Sequence, residues 1–299
     1  MLHVLTHNIL PVFAMLALGF AMGRAGKTTH PEAAAVNRVA FLILQPALIF
    51  PLMAGIDLER FDALALGLYA ACEFVAFGLA YGVARVVFRR AHLEAWLLAM
   101  AVVFVNSLLY IWPISFLIYG EEAALPITAI VAWDASVMFA FFIVSMELMA
   151  GDRSGGGAVR RIGTNPVILA IALGLAVNLL GLAVPEPVLT AAGFAGAGAA
   201  PLTLFALGVI LSGTALLPSP TVVGITLLKL AVFPLLVWAA LSLASPGNPW
   251  SPFFILNAAG PSGAMAFALA MLYKVRTDTI APVIIWTSTL SLFSLALLA

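Results

Sequence analysis

The sequence predicts an all-α integral membrane protein of ten transmembrane helices in two inverted five-helix repeats. Three observations carry that prediction: composition, the spacing of apolar runs, and an odd number of runs on each side of one polar stretch. Of 299 residues, 64% are hydrophobic and 9% charged, against roughly 45–50% and about 25% in soluble domains. A bilayer core of ~30 Å needs about 20 apolar residues at 1.5 Å rise each, and the chain divides into ten such stretches.

The expected spans are bounded by short polar turns. The first, 3–24, has no Lys or Arg before it and no suitable cleavage site after it, so it reads as a span rather than a signal peptide. "RAGKTTHPE" separates it from 33–54, and "GIDLERFD" separates that from 63–88. "RRAHLE" precedes 95–118, and "YGEEAALP" leads into 125–149. "GDRSGGGAVRRIGTN", rich in Gly and Arg, reads as a flexible solvated linker. Beyond it come 166–184 and 188–212, divided by "GLAVPEP", then 221–244 after "LPSP". The last two, 250–273 and 280–298, follow "SPGNPW" and enclose "KVRTD". The expected division is 1–150, linker 151–164 and 165–299, with almost no room for a soluble domain.

Charge sets the orientation, because positive loops stay cytoplasmic. Of the thirteen Lys and Arg residues, all but Arg60 and Lys229 flank the first, third, fifth and ninth loops. Both chain ends are therefore expected outside the cell membrane, bacterial inner or plasma, with the linker inside. Five spans in each half require similar halves to enter with opposite orientation, as in inverted-repeat transporters. The prolines agree. Pro46 and Pro201 lie in the second spans of their halves, Pro113 and Pro261 in the fourth, and Pro126 and Pro282 at the start of the fifth, at nearly constant separation.

The fourth span contains "NSLLYIWP", Asn106 to Pro113, and the ninth contains "NAAGP", Asn257 to Pro261. Proline within a helix removes one hydrogen bond and clashes with the preceding turn, and lipid cannot satisfy the freed groups. Each span is expected to be two half-helices, the second starting at Pro113 and Pro261. The opposite directions of the two spans aim both positive N-termini at the midplane, which favours an anion. Paired proline kinks held by packing are the plainer alternative. Glu73, Asp134 and Lys229 lie deep in spans, ~13 Å or more from an end, while Glu147 is expected to reach the interface. Such groups serve either coupling or a structural ion pair. Gly19 with Gly23, and Gly78 with Gly82, have the spacing of close helix packing.

Other chemistry is poorly served. Cys72 is the only cysteine and lies in a span, so no disulfide or cysteine zinc site is expected. "AMGRAGKT" lacks the first glycine of a phosphate loop and follows a membrane span, which argues against ATP. No nucleophile with a base, and no metal-ligand set, can be assembled from the buried residues, so an enzyme is not expected. Neither cofactor nor nucleic-acid partner is expected.

"NRVAFLILQPALIF", "NSLLYIWP", "NPVILAIALGLAVNLLG", "PLTLFALG", "LLKLAVFPLL" and "AAGPSGAMAFALAMLYKV" together, in this order, resemble the auxin efflux carrier family, including its short bacterial members. The resemblance implies crossing broken helices in spans four and nine and efflux of an organic anion such as auxin or a small dicarboxylate. It also implies a homodimer in lipid, with the first two helices of each half as scaffold and the rest as transport unit. The site would comprise Asn106, Ser107 and Pro113 on one side and Asn257, Gly260, Pro261 and Ser262 on the other. Pro46 and Pro201 are further expected helix breaks. Glu73 or Asp134 would couple to protons, and the similar ten-helix plan of bile-acid symporters keeps sodium open. Where family members have small residues, this chain has Leu108 to Trp112, which crowds the fourth-span break.

Overall fold

The computed structural model describes residues 2–150, 156–214 and 217–299. Among them the chain is helical, and its only ladder-like pairing is one isolated antiparallel bridge between Val105 and Ser262. Seven helical runs are long and apolar enough to cross a membrane. We label α1 Leu2–Arg24, α2 His30–Ala54 and α3 Ala63–Val87. Then come α4 His92–Val103, α5 107–119 and α6 124–150. After the linker are α7 Gly156–Gly163 and α8 Pro166–Leu179, then α9 Glu186–Leu211 and α10 Pro220–Ala244. Last come α11 Ser251–Ala258, α12 Met265–Leu272 and α13 Ile280–Leu298. The run Ser107–Ala150 counts once at 44 residues, although Gly120, with φ 63°, interrupts it between α5 and α6.

Polar turn residues start the helices by capping exposed backbone N–H groups. Asp62 accepts from the Ala65 N–H at 2.8 Å. Asn165 accepts from Val167 and Ile168, with Pro166 opening α8. Thr29 and Glu32 form a reciprocal capping box ahead of α2. Part of the expected linker, Gly156–Gly163, is helical, and Gly151 to Gly155, including Arg153, lie outside the described residues.

Several membrane helices contain a π turn, and four of these turns stand in fixed relation to a proline. Leu5–Ile9, Ala40–Leu44, Ser107–Ile111 and Leu228–Val232 each end two residues before Pro11, Pro46, Pro113 and Pro234. The residue before each proline bonds five positions back, as Trp112 N–H does to the Ser107 carbonyl. The wider turn makes room for a ring that would strike a regular turn. Pro46 therefore does not break its helix, because α2 runs on from His30 to Ala54. Pro201 is the third residue of the helix Ala199–Leu211, where no intrahelical N–H is needed, and the irregular step lies ahead of it at Ala197 and Gly198.

The chain forms two compact units. One comprises Val12–Phe61 and Val131–Gly213. In it helices touch at glycine: a Cβ on Gly19 would meet the Phe205 carbonyl at 2.0 Å, and one on Gly208 the Leu16 carbonyl at 2.1 Å. Gly23 abuts Ser212, so the Gly19–Gly23 pair is a packing stripe. Gly78 and Gly82 have nothing within 4 Å and pack against no helix among the described residues. Glu147, near the end of α6, is covered by protein and pairs with Arg161 at 3.1 Å, because α7 folds back along α6. Asp134 opens a π turn in this unit and is buried.

The other unit comprises Met1–Pro11, Asp62–Ile130 and Thr214–Ala299. Here α3 packs on α4 and α10, and α10 on α11. Its buried core includes Tyr69, Tyr110, Phe233 and Phe254, and Tyr69 meets the Phe254 ring edge-on at 5.3 Å. Both expected helix breaks fall inside this unit.

Candidate functional site: two helix breaks tied together

The fourth-span helix stops at Val103 and resumes at Ser107, so the break is Phe104, Val105 and Asn106. The ninth-span helix stops at Ala258 and resumes at Met265, leaving residues 259–264 irregular. The two breaks bond to each other. The Asn106 N–H donates to the Pro261 carbonyl at 3.0 Å, and the Gly263 N–H to the Phe104 carbonyl at 2.8 Å, on either side of the Val105–Ser262 bridge. Backbone groups that lipid could not satisfy thus satisfy one another.

This geometry corrects the expected half-helix starts. Pro113 is the second residue after the π turn of α5, a turn and a half beyond the break. It is no helix start, because the π turn absorbs it. Pro261 lies within the irregular link and contributes its carbonyl, four residues before α12 begins. The residues Leu108 to Trp112 follow the fourth-span break, in the π turn and just beyond it, and one of them reaches the ninth-span break. Ile111 fills the space that Gly260 leaves open: a Cβ there would stand 2.4 Å from Ile111 Cδ1.

Side chains complete the crossing. Ser262 Oγ donates to the Ala101 carbonyl at 2.5 Å, and the Ser262 N–H donates to Thr287 Oγ1 at 3.1 Å. Asn257 is fully buried and donates from Nδ2 to the Tyr69 hydroxyl at 2.8 Å, while its Oδ1 has no partner. Lys229 Nζ donates to the Ala258 carbonyl at 2.6 Å, and Ser294 Oγ to that of Ala259 at 3.1 Å. Asn106 and Ser107 are buried at the start of α5. Asn106 accepts there from the Tyr110 and Ile111 N–H groups through its carbonyl.

Four helix ends therefore converge, and they are treated differently. The C-terminal ends, of α4 and α11, receive side-chain donors from Ser262, Lys229 and Ser294. The N-terminal ends, of α5 and α12, have no side-chain cap at Asn106 or Ala264. An uncapped N-terminus presents free N–H groups and the positive pole of the helix dipole, which together suit an anion.

Of the expected site residues, Asn106, Ser107, Asn257, Gly260, Pro261 and Ser262 come together at the breaks. Glu73 and Lys229, both fully buried, belong to the same unit, and Asp134 to the other. Sequence reasoning missed Tyr69 and Thr287, whereas Ile111 lies in the run Leu108 to Trp112 that it singled out. Tyr69 had one available signal: it stands four residues before Glu73 and so shares its helix face. It also missed a buried polar cluster where α4, α10 and α13 begin. There Thr279 Oγ1 donates to Glu94 Oε1 at 2.6 Å, Arg90 pairs with Glu94 at 3.4 Å, and Arg90 Nη2 donates to Thr221 at 2.7 Å.

Comparison with known proteins agrees with this architecture. Residues 152–299 match the family model described as membrane transport protein. A Rhizobium meliloti (strain 1021) protein, provisionally named a malonate transporter, is 28% identical over 298 residues, spanning 96% of this chain and 92% of its own length. An uncharacterized transporter of Methanothermobacter thermautotrophicus (strain Delta H) is 29% identical over 304 residues, covering 98% and 96%. The role these names indicate is transport rather than catalysis. The match of residues 152–299 to the membrane transport protein family, with the likeness of both relatives along nearly the whole chain, identifies a membrane transporter.

Proposed function

We propose that the chain is a secondary transporter that moves a small organic anion, a mono- or dicarboxylate, by alternating access around the crossed breaks. The observation that carries this reading is the asymmetry of the four helix ends: donors occupy the two C-termini, and the two N-termini are left for a negatively charged cargo. Asn106, Ser107, Asn257 and Ser262 would surround it, with Gly260 and Pro261 shaping the link. The relative whose name refers to malonate makes a dicarboxylate the first cargo to try.

In this reading residues 1–150 and 165–299 are inverted repeats crossing the bacterial inner membrane ten times. α4 with α5 and α11 with α12 are then single broken crossings, and both chain ends lie outside. The scaffold and a homodimer contact fall to α1, α2, α8 and α9, of which all but the first half of α1, up to Pro11, share one unit. A membrane potential negative inside favours export of a monovalent anion by about 2.3 kcal/mol per 100 mV, so efflux needs no coupling ion. Glu73 or Asp134 would supply proton coupling if import occurs. A sodium-coupled symporter is the second reading, and it would require the C-terminal carbonyls at the same crossing to exchange their present donors for a cation.

Counterflow in proteoliposomes with a panel of mono- and dicarboxylates, with and without proton and sodium gradients, tests the proposal. Saturable exchange of at least one carboxylate is expected, with Asn257→Ala and Pro261→Ala impaired but folded. Failure of every organic anion to exchange removes the anion reading, and conductance without saturation would indicate a channel.

A further inference from the structure

Lys229 is the only buried lysine or arginine among the described residues. It sits in the π turn Leu228–Val232 of α10, and its Nζ reaches the carbonyl of Ala258, the last residue of α11, at 2.6 Å. The same group stands 4.9 Å from the Phe233 ring centroid, within range of a cation–π contact. α3, which carries the fully buried Glu73, packs against this turn. A positive group at a helix C-terminus meets the negative pole of the dipole and the unbonded carbonyls together.

In transporters with broken helices, such half-helix C-termini and the unwound carbonyls beside them coordinate sodium. A sodium ion enters and leaves with each cycle, whereas a tethered ammonium supplies the positive charge and stays. The Ala259 carbonyl, next in the chain, is occupied by Ser294 at 3.1 Å. Both acceptors at this end of α11 are therefore filled by the protein's own donors.

We infer that the Lys229 side chain is a resident cation in the place a coupling sodium would take at the end of α11, so that the crossing works without sodium. The inference rests on the transporter reading for its consequence, because it removes the sodium-symporter alternative. The occupancy itself rests on the contacts of Lys229.

The test requires no cargo, so its failure and that of the anion reading are distinguishable. Purified full-length protein is melted in sodium chloride and in choline chloride at equal ionic strength. Wild type and Lys229→Arg should melt alike in both salts. Lys229→Ala and Lys229→Met, which vacate the carbonyl, should melt lower in choline and recover by about 2–4 °C in sodium alone, the response to a ligand binding only the folded state. A sodium-specific rise in wild type overturns the inference, as does the lack of one in both vacated variants. If neither variant can be purified, radioactive sodium binding to wild type decides: stoichiometric binding overturns the inference, and none upholds it.

Discussion

The two breaks in one unit perform the same topological step with different means. The fourth-span break spends three residues, Phe104 to Asn106, without glycine, and runs at once into a π turn full of bulky side chains. The ninth-span break takes six residues, 259–264, includes Gly260 and Gly263, and restarts as a plain α-helix. The short break begins with Phe104 and is followed by Ile111, and the long one is slender where its glycines accept those residues. Ile111 lies against Gly260, and a Cβ on Gly263 would stand 3.1 Å from the Phe104 carbonyl. Crowding on one strand of the crossing is thus matched by absence on the other.

The sharpest way to break this complementarity is to thicken the slender side. Gly263→Val should cost about 1–3 kcal/mol or more, since its nearest neighbours are the backbone carbonyls of Phe104 and Val105, which cannot move aside. Thermal unfolding in detergent should show a loss of several degrees, and wild-type melting would refute the tight fit.

Gly260→Ala meets only the tip of a side chain, so a smaller loss of about 1–2 kcal/mol is expected. Adding Ile111→Val or Ile111→Ala should restore part of it. A double-mutant cycle with additive effects would show that the two residues do not press on each other.

Ser262→Ala removes a donor to the Ala101 carbonyl and should cost about 1 kcal/mol, a fall of about 2–4 °C. In carboxylate counterflow the same variant should lower the apparent affinity more than the maximal rate. Asn257→Ala should have the larger transport effect of the two, because it also removes the amide that donates to the Tyr69 hydroxyl.

The smallest effect lies outside both breaks. Arg276, hydrogen-bonded to Asp278 at 2.7 Å, holds that carboxyl below its usual range. A lowered folded pKa contributes stability above the unfolded value, about 3.9, and loses it as pH falls through the folded value. The pair is half-exposed, so Asp278→Asn should change stability by less than about 1 kcal/mol at neutral pH and by nothing at strongly acid pH. Melting at the two pH values checks this.

The breaks were legible as regions because Asn, Gly and Pro in an apolar run have few other uses. Their limits were not. Proline marks where a regular helix cannot continue, but Pro46, Pro113 and Pro234 sit behind π turns that remove the conflict, so the residue flags a bulge rather than an end. Tyr69 and Thr287 were hidden for a different reason. Their part depends on which helices meet in space, and a single sequence contains no periodicity that reports it. Burial of Glu147 was missed likewise, because its partner Arg161 lies on a helix expected to be linker.

The π turns also act as phase shifters. One additional residue turns everything beyond it by about 100° around the helix axis, so the π turn sets how the two ends of α10 are phased. Excising one residue between Leu228 and Val232 would leave the composition and length of the span almost untouched, yet swing one half of it by that angle. Lys229 stands at the second position of the turn, so that excision would change its alignment with one end of the span.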